Sequence, residues 1–292
     1  MSGTGMENSV TQLTRIRTYL GALGSTLLGR NPAGRNLTVF PGDTFIVSYF
    51  RSGSTWSRFL FGNLIQEREA ITFTNMERLV PIIYNQPDRV LRGLPRVLKS
   101  HECFDPRYPR VIYIVRDPRD VAVSFYFYNL KVGVIPSAYS MDKFVKRFIA
   151  ADVVGYADRV GCWEDHVLSW MRLRQGKPGF EFVRYEDLLA NPEKELSRLA
   201  AAVGIEPTPE RIARAVHLSS VSRMQSLEIK QSKDWVATKG TRQDIPFVRE
   251  AKAGGWRGKL STEAVAAIEN AWGATMREFG YELVADRELA KS

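Results

Sequence analysis

The chain has 292 residues, 44% of them hydrophobic and 25% charged, with a net charge of +9 and a pI near 9.6. That balance excludes a disordered or fibrous chain and fits one folded α/β domain with insertions. Two distant cysteines, Cys103 and Cys162, give neither a disulfide framework nor a zinc spacing, so a reduced cytoplasmic compartment is expected. The histidines His101, His166 and His217 are too scattered for a metal cluster. The basic balance favours anionic ligands without identifying them; no nucleic-acid recognition module accompanies it.

Residues 1–35 read as a polar tail followed by an amphipathic helix, because Ile16, Leu20, Leu23 and Leu27 recur at helical spacing. That helix packs on the domain or meets a membrane surface. No apolar run is long enough to span a bilayer. The domain is expected over 36–285, with a short tail at 286–292.

Four runs read as strands: TFIVS at 44–48, RVLK at 96–99, VIYIVR at 111–116 and FEFVRY at 180–185. Their near-continuous apolar character suits strands buried on both faces of a parallel sheet. Helical patterns alternate with them. Trp56, Phe59, Leu60 and Leu64 make one stripe. Asn191 caps a helix with Pro192 at its first position, and Gly204 stops it. Ser261 caps another, with Val265, Ile268, Trp272 and Phe279 inward and Gly280 at its end. The alternation predicts a mainly parallel central sheet flanked by helices, with ligands beyond the carboxyl ends of the strands.

The string YFRSGSTW at 49–56 follows the first strand. Backbone amides around Gly53 and a helix N-terminus make an anion cradle. Ser52, Ser54 and Thr55 add hydroxyls, and Arg51 a charged fork. The plainer alternative is a strand–helix turn capped by Ser54. Trp56 is either core or a face for a nucleobase. There is no Walker A lysine.

LKSH at 98–101 ends the second strand. His101 beside Lys99 is either a general base next to a cation or a surface histidine satisfied by hydrogen bonds. In VIYIVRDPRDVAVSFYFYN at 111–129, Asp117 caps a helix opened by Pro118. Arg116 and Ser124 either converge on one phosphate or serve only the fold.

In order and spacing these elements resemble the sulfotransferases that use 3′-phosphoadenosine-5′-phosphosulfate (PAPS), in their soluble cytosolic-type branch and its bacterial relatives. YFRSGSTW is similar to the family's YPKSGTTW. The resemblance implies a P-loop-like phosphate-binding loop, PAPS as co-substrate with 3′-phosphoadenosine-5′-phosphate (PAP) as product, and no metal. It implies His101 as general base, with Lys99 and Arg51 offsetting charge, and Arg116 with Ser124 on the 3′-phosphate. RYEDL at 184–188 resembles a segment whose tyrosine, here Tyr185, reaches the adenine. SSVSRM at 219–224 resembles another adenine segment, implying Ser219, Val221 and Met224. FVREAKAGGWRGKLS at 247–261 resembles the C-terminal phosphate segment, implying Arg249, Glu250 and Ala251.

Several positions depart from the family pattern. Arg51 stands for a lysine, Val221 for an aromatic, Glu250-Ala251 for Lys-Gly, and Glu102-Cys103 for Leu-Pro. Arg257, Ser261-Thr262 and Ala266 do not reproduce the family's dimer motif, so no dimer is inferred. The aromatic run 125–128 and the apolar stretch from Leu79 to Tyr84 point to a small hydrophobic hydroxyl acceptor. A nucleotide kinase would need a loop lysine and an acidic magnesium ligand, and a binding protein would not need His101 with Lys99.

Overall fold

The computed structural model describes residues 37–84, 95–153 and 160–289. The helix expected near 15–29 and the last residues of the C-terminal tail lie outside them.

Strands β1 (Thr44–Ser48), β2 (Val97–Ser100), β3 (Arg110–Val115) and β4 (Phe180–Arg184) form one sheet in the order β2-β1-β3-β4. Every pairing is parallel, so the sheet is more uniform than the mainly parallel one expected. Ile46 of β1 stands between Lys99 and Ile112, and Ile114 pairs Val183. Parallel strands leave all carboxyl ends on one edge, so the loops after Ser48, Ser100, Val115 and Arg184 emerge side by side. The chain turns one way from β1 to β2 and the other to β3. The crevice such a reversal opens is where α/β sheets bind ligands.

Helices cover both faces: α1 (Ser54–Ile65), α2 (Met76–Leu79), α3 (Pro118–Lys131), α4 (Met141–Ile149), α5 (Trp163–Arg174), α6 (Tyr185–Ala190), α7 (Pro192–Ala202), α8 (Pro209–Leu218), α9 (Val221–Gln231), α10 (Thr262–Glu278) and α11 (Val284–Leu289). Side chains alternate along each strand. Phe45, Val47, Val111, Tyr113 and Val115 point into a core with Trp163, Trp170, Ile268 and Trp272. Ile46, Ile112, Ile114 and Val183 meet Phe59, Leu60, Leu64, Leu196 and Leu199 on the other face. All five β1 residues are buried, which accounts for its continuous apolar reading.

The capping signals fare unequally. Asp117 accepts from the Arg119 amide with Pro118 following, and Ser261 accepts from the Ala264 amide. Asn191 occupies its cap position but makes no side-chain cap bond. Ser54 is not a cap: Gly53 holds that place at φ 99°, and Ser54 is the first helical residue. A residue at such a φ leaves the helix amides pointing into the crevice, and glycine does so with least strain.

Gly62 in α1 tests what holds the second core together. A Cβ there would lie 2.5 Å from Ile71 Cγ1 and 3.3 Å from Val80 Cγ2, and Ile71 is wholly buried. Helix propensity alone would favour Gly62→Ala by about 1 kcal/mol, whereas overpacking costs about 1–3 kcal/mol. Urea denaturation should give a lower midpoint for Gly62→Ala; a higher one would mean the α1–Ile71 contact is slack.

Candidate functional site

At the carboxyl edge of β1 the crevice widens into a cavity of about 730 Å³. Its floor is the loop 49–53 with the N-terminus of α1. Gly53, Ser54, Thr55 and Trp56 line it. Ser52 does not line the cavity; its hydroxyl is buried behind the loop without a hydrogen-bond partner, as is Nε of the cavity-lining Arg116. The helix N-terminus with Arg116 beside it suits an anion. Tyr185 closes the loop from above, so near that a Cβ on Gly53 would stand 2.5 Å from its ring.

Arg51, Arg58, Lys99, Arg116, Arg249, Lys252 and Lys259 all line this one cavity, against Glu77, Asp120 and Glu250. Arg58 pairs with Glu77 at 2.8 Å and Lys259 with Glu250 at 2.5 Å. Arg51, Lys99 and Arg116 have no carboxylate partner among the described residues. Arg51, at φ 62°, lies between the rings of Tyr128 and Phe247. Its Nε donates to the Ser124 hydroxyl at 3.2 Å. Arg116 stacks on Tyr185 at 4.3 Å and donates to the carbonyls of Arg51 and Lys252. Arg51, Arg116 and Ser124 thus meet, with Arg51 as the link. Burial, aided by Arg116 and Arg249, lowers the Arg51 pKa to about 10, so it stays charged at neutral pH. Burial and the nearby Arg58 bring Lys99 down to about 7.

His101 is not the surface residue of the plainer reading; it is buried and faces the cavity. Its Nδ1 lies 2.7 Å from the Ser48 carbonyl. A carbonyl only accepts, so Nδ1 carries the proton and Nε2 is left with a lone pair. Burial first, then Lys99, holds its pKa well below 6.5 and the ring neutral. Behind it, the His101 carbonyl accepts from Nε2 of His166, whose Nδ1 meets the Tyr113 hydroxyl at 2.8 Å. That chain fixes the peptide carrying His101.

The other candidates fall as follows. Tyr185, Val221 and Met224 line the cavity. Ser219 sits behind it: its carbonyl accepts from Trp56 Nε1 at 3.0 Å, and its hydroxyl from Asn63 Nδ2. Trp56 meets Tyr185 edge-on, ring centroids 5.7 Å apart. Arg249 stacks on Phe127 at 4.1 Å. Glu250 turns to Lys259, and Ala251 takes φ 45°, where the family pattern has glycine. Phe50, Ile82, Tyr84, Phe125, Tyr128, Val132 and Val134 form an apolar half of the cavity.

Reading the sequence alone missed the cations Lys252 and Lys259, both in a segment already singled out. It also missed the anchors. Asp120 accepts from the amides of Gly254 and Trp256, each at 2.8 Å, and so pins the 249–257 loop to α3. Glu228 accepts from the amides of Phe247 and Val248, and Lys131 donates to the carbonyls of Arg242 and Ile245. Arg58 and Glu77 lie nineteen positions apart, with no local signal to join them.

A P-loop-like cradle, an excess of cations and a neutral histidine at the edge of a parallel sheet suit a phosphorylated ligand. Comparison with known proteins narrows the class. The family described as "Sulfotransferase domain" matches residues 41–280. Sulfotransferase 1B1 of Mus musculus is 27% identical over 235 residues, 74% of this chain and 77% of that protein. Sulfotransferase 1A1 of Rattus norvegicus is 26% identical over 267 residues, 85% of this chain and 89% of that one. Among solved structures, mouse sulfotransferase SULT7A1 complexed with PAP superposes with a TM-score of 0.63 at 25% identity, covering 82% of this chain and 86% of that one. Retinol dehydratase with retinol and PAP gives 0.70 at 20% identity, covering 85% and 84%, a likeness of fold. The chain belongs to the sulfotransferase family and is a PAPS-dependent sulfotransferase. No helix among the described residues is long and apolar enough to cross a membrane.

Asp120 gives the site's first test. Asp120→Ala strands two backbone amides, one of them buried, at about 1–3 kcal/mol of stability for each one left unsatisfied. The variant should unfold at lower urea and show faster amide exchange at Gly254 and Trp256. Unchanged exchange there would mean the loop is held by something else.

Proposed function

We propose that this enzyme transfers the sulfuryl group of PAPS to the hydroxyl of a small apolar acceptor, with His101 as general base. One observation carries the reading: the Ser48 carbonyl holds the Nδ1 proton of a histidine that lines the cavity, which leaves its Nε2 free to accept a proton. When bound, PAPS supplies a sulfuryl group activated by its anhydride link to the 5′-phosphate. Gly53, Ser54 and Thr55 at the start of α1 suit that 5′-phosphate. Arg116, Ser124 and Arg249 suit the 3′-phosphate, and Lys252 and Lys259 stand in the same cavity where Glu250 and Ala251 offer no cation. Trp56, held by Ser219, lies with Tyr185, Val221 and Met224 to flank the adenine.

On the acceptor side, Phe50, Tyr84, Phe125, Tyr128 and Val132 offer apolar and aromatic walls, which favour an alcohol or phenol with a hydrophobic body. His101 takes the hydroxyl proton at Nε2. Lys99 and Arg51 supply positive charge where the reacting oxygens gain negative charge. Arg51 does so as a clamp fixed between two rings, where a lysine would be a mobile point charge.

Two experiments test these assignments. PAP should raise the melting temperature well above the shift given by AMP at equal concentration. A ligand at 100 times its Kd adds about 2.7 kcal/mol of stability; equal shifts for the two nucleotides would remove the 3′-phosphate assignment. His101→Ala should lower kcat about 10²–10⁴-fold while PAP binds nearly as before. Turnover close to wild type in that variant would show that another group takes the proton.

A further inference from the structure

Lys99 is tied on its open side to a segment that belongs to neither the sheet nor the phosphate loop. Its amide donates to the Pro81 carbonyl at 2.9 Å, and its carbonyl accepts from the Ile83 amide at 3.0 Å. Ile82 and Lys99 thereby form an isolated parallel bridge. That segment in turn hangs from Arg58. Nε of Arg58 donates to the Val80 carbonyl at 2.8 Å, and Nη2 to the Met76 carbonyl and to Glu77 Oε1. The second Glu77 oxygen accepts from the Ile82 amide at 3.3 Å.

Arg58 is 2% exposed, an unusual place for a guanidinium in the middle of an apolar helix. It stands one turn after Ser54, in the helix that begins at the phosphate cradle. Its side chain, Glu77 and Lys99 all reach the cavity. The charged groups acting on Lys99 come from each surrounding element. Arg58 comes from α1, Glu77 from α2 and Arg51 from the loop after β1, while His101, just past the end of its own strand, is neutral. The two arginines disfavour its proton and Glu77 favours it.

We propose that Arg58 and Glu77 are positioning residues for Lys99, joining the phosphate-loop helix to the strand edge through the segment 76–83. The inference rests on Lys99 facing the bound nucleotide, as assigned above. Helix α1 and the acceptor wall at Ile82 and Tyr84 are then linked through one part-buried ion pair. Burial, with Arg58 next, brings Lys99 down to about 7 in the free enzyme. An anion beside it favours the charged form, so nucleotide binding above that pH takes up a proton.

Calorimetry of PAP binding in two buffers of different ionisation enthalpy, repeated across pH 6–9, reads that uptake without turnover. In the wild type the uptake should reach half its maximum near pH 7, the free-enzyme value. Glu77→Gln removes the favourable charge and should move the half-point down. Arg58→Gln removes an unfavourable one and should move it up. A shift of about one unit in either direction is a tenfold change in the ratio of charged to neutral Lys99. A merely structural pair would weaken binding in both variants and leave the half-points where they were, and that result overturns the proposal. Movement of both half-points in the same direction overturns it too. Should Arg58→Gln fail to fold, Glu77→Gln decides alone, since Glu77 is partly exposed and the change is isosteric. Lys99→Met separates the two levels of the argument. Uptake that persists in this variant belongs to another group, and the assignment of Lys99 falls. Uptake that vanishes in it, with Glu77→Gln unshifted, leaves Lys99 in place and removes only the pair.

Discussion

The structure is organised around positive charge held in place before any ligand neutralises it. Arg51, Lys99, Arg116 and Arg249 reach one cavity, and the first three have no carboxylate of their own among the described residues. Like charges brought that close repel, and each loses water as it is buried. What holds them is mostly not ion pairing. Arg51, Arg116 and Arg249 lie over the rings of Tyr128 and Phe247, Tyr185, and Phe127. Cation–π contacts of this kind attract a guanidinium without cancelling its charge for a bound anion. The carboxylates nearby do a different task. Asp120 and Glu228 grip backbone amides of the loops that carry the cations. Negative charge thus shapes the loops while positive charge faces the cavity.

The sheet makes this possible by its direction alone. With every strand parallel, the segments after β1, β2, β3 and β4 deliver Arg51, His101, Arg116 and Tyr185 to one edge. The two cores below keep that edge flat and unyielding: β1 is buried along its whole length, and close-packed side chains on both faces resist displacement. The tautomer of His101 follows from the same geometry, because the carbonyl that holds its Nδ1 proton belongs to the last residue of β1.

Most of this frame could be read in the sequence. The four strands are found within a residue of their expected bounds, since runs buried on both faces carry a strong apolar signal. Asp117 and Ser261 were legible as caps because their chemistry is local. The alternative of a turn capped by Ser54 fails because a glycine at φ 99° serves as the cap without a side chain. His101 could not be placed inside or outside from its neighbours alone; its burial depends on Phe50 packing against it from another strand's loop. Lys252 and Lys259 stood in plain view, but nothing local says which lysines of a basic loop turn inward. Arg58 with Glu77, and Asp120 with the amides of 254 and 256, were illegible for the deeper reason that their partners are distant in the chain.

The segment 232–248 lends Trp235, Val236, Ala237, Phe247 and Val248 to the cavity wall. Trp235 packs against Phe73 and Phe247, Glu228 takes two of its amides, and Lys131 takes two of its carbonyls. None of these involves the sheet. The protein therefore has two tiers of cohesion: a sheet buried between two cores, and a segment held by side chains of neighbouring helices and by Arg51, whose Nη2 donates to the Phe247 carbonyl. Any loosening of this segment therefore reaches Arg51 as well, since the Phe247 ring lies against its guanidinium and the Phe247 carbonyl accepts from its Nη2.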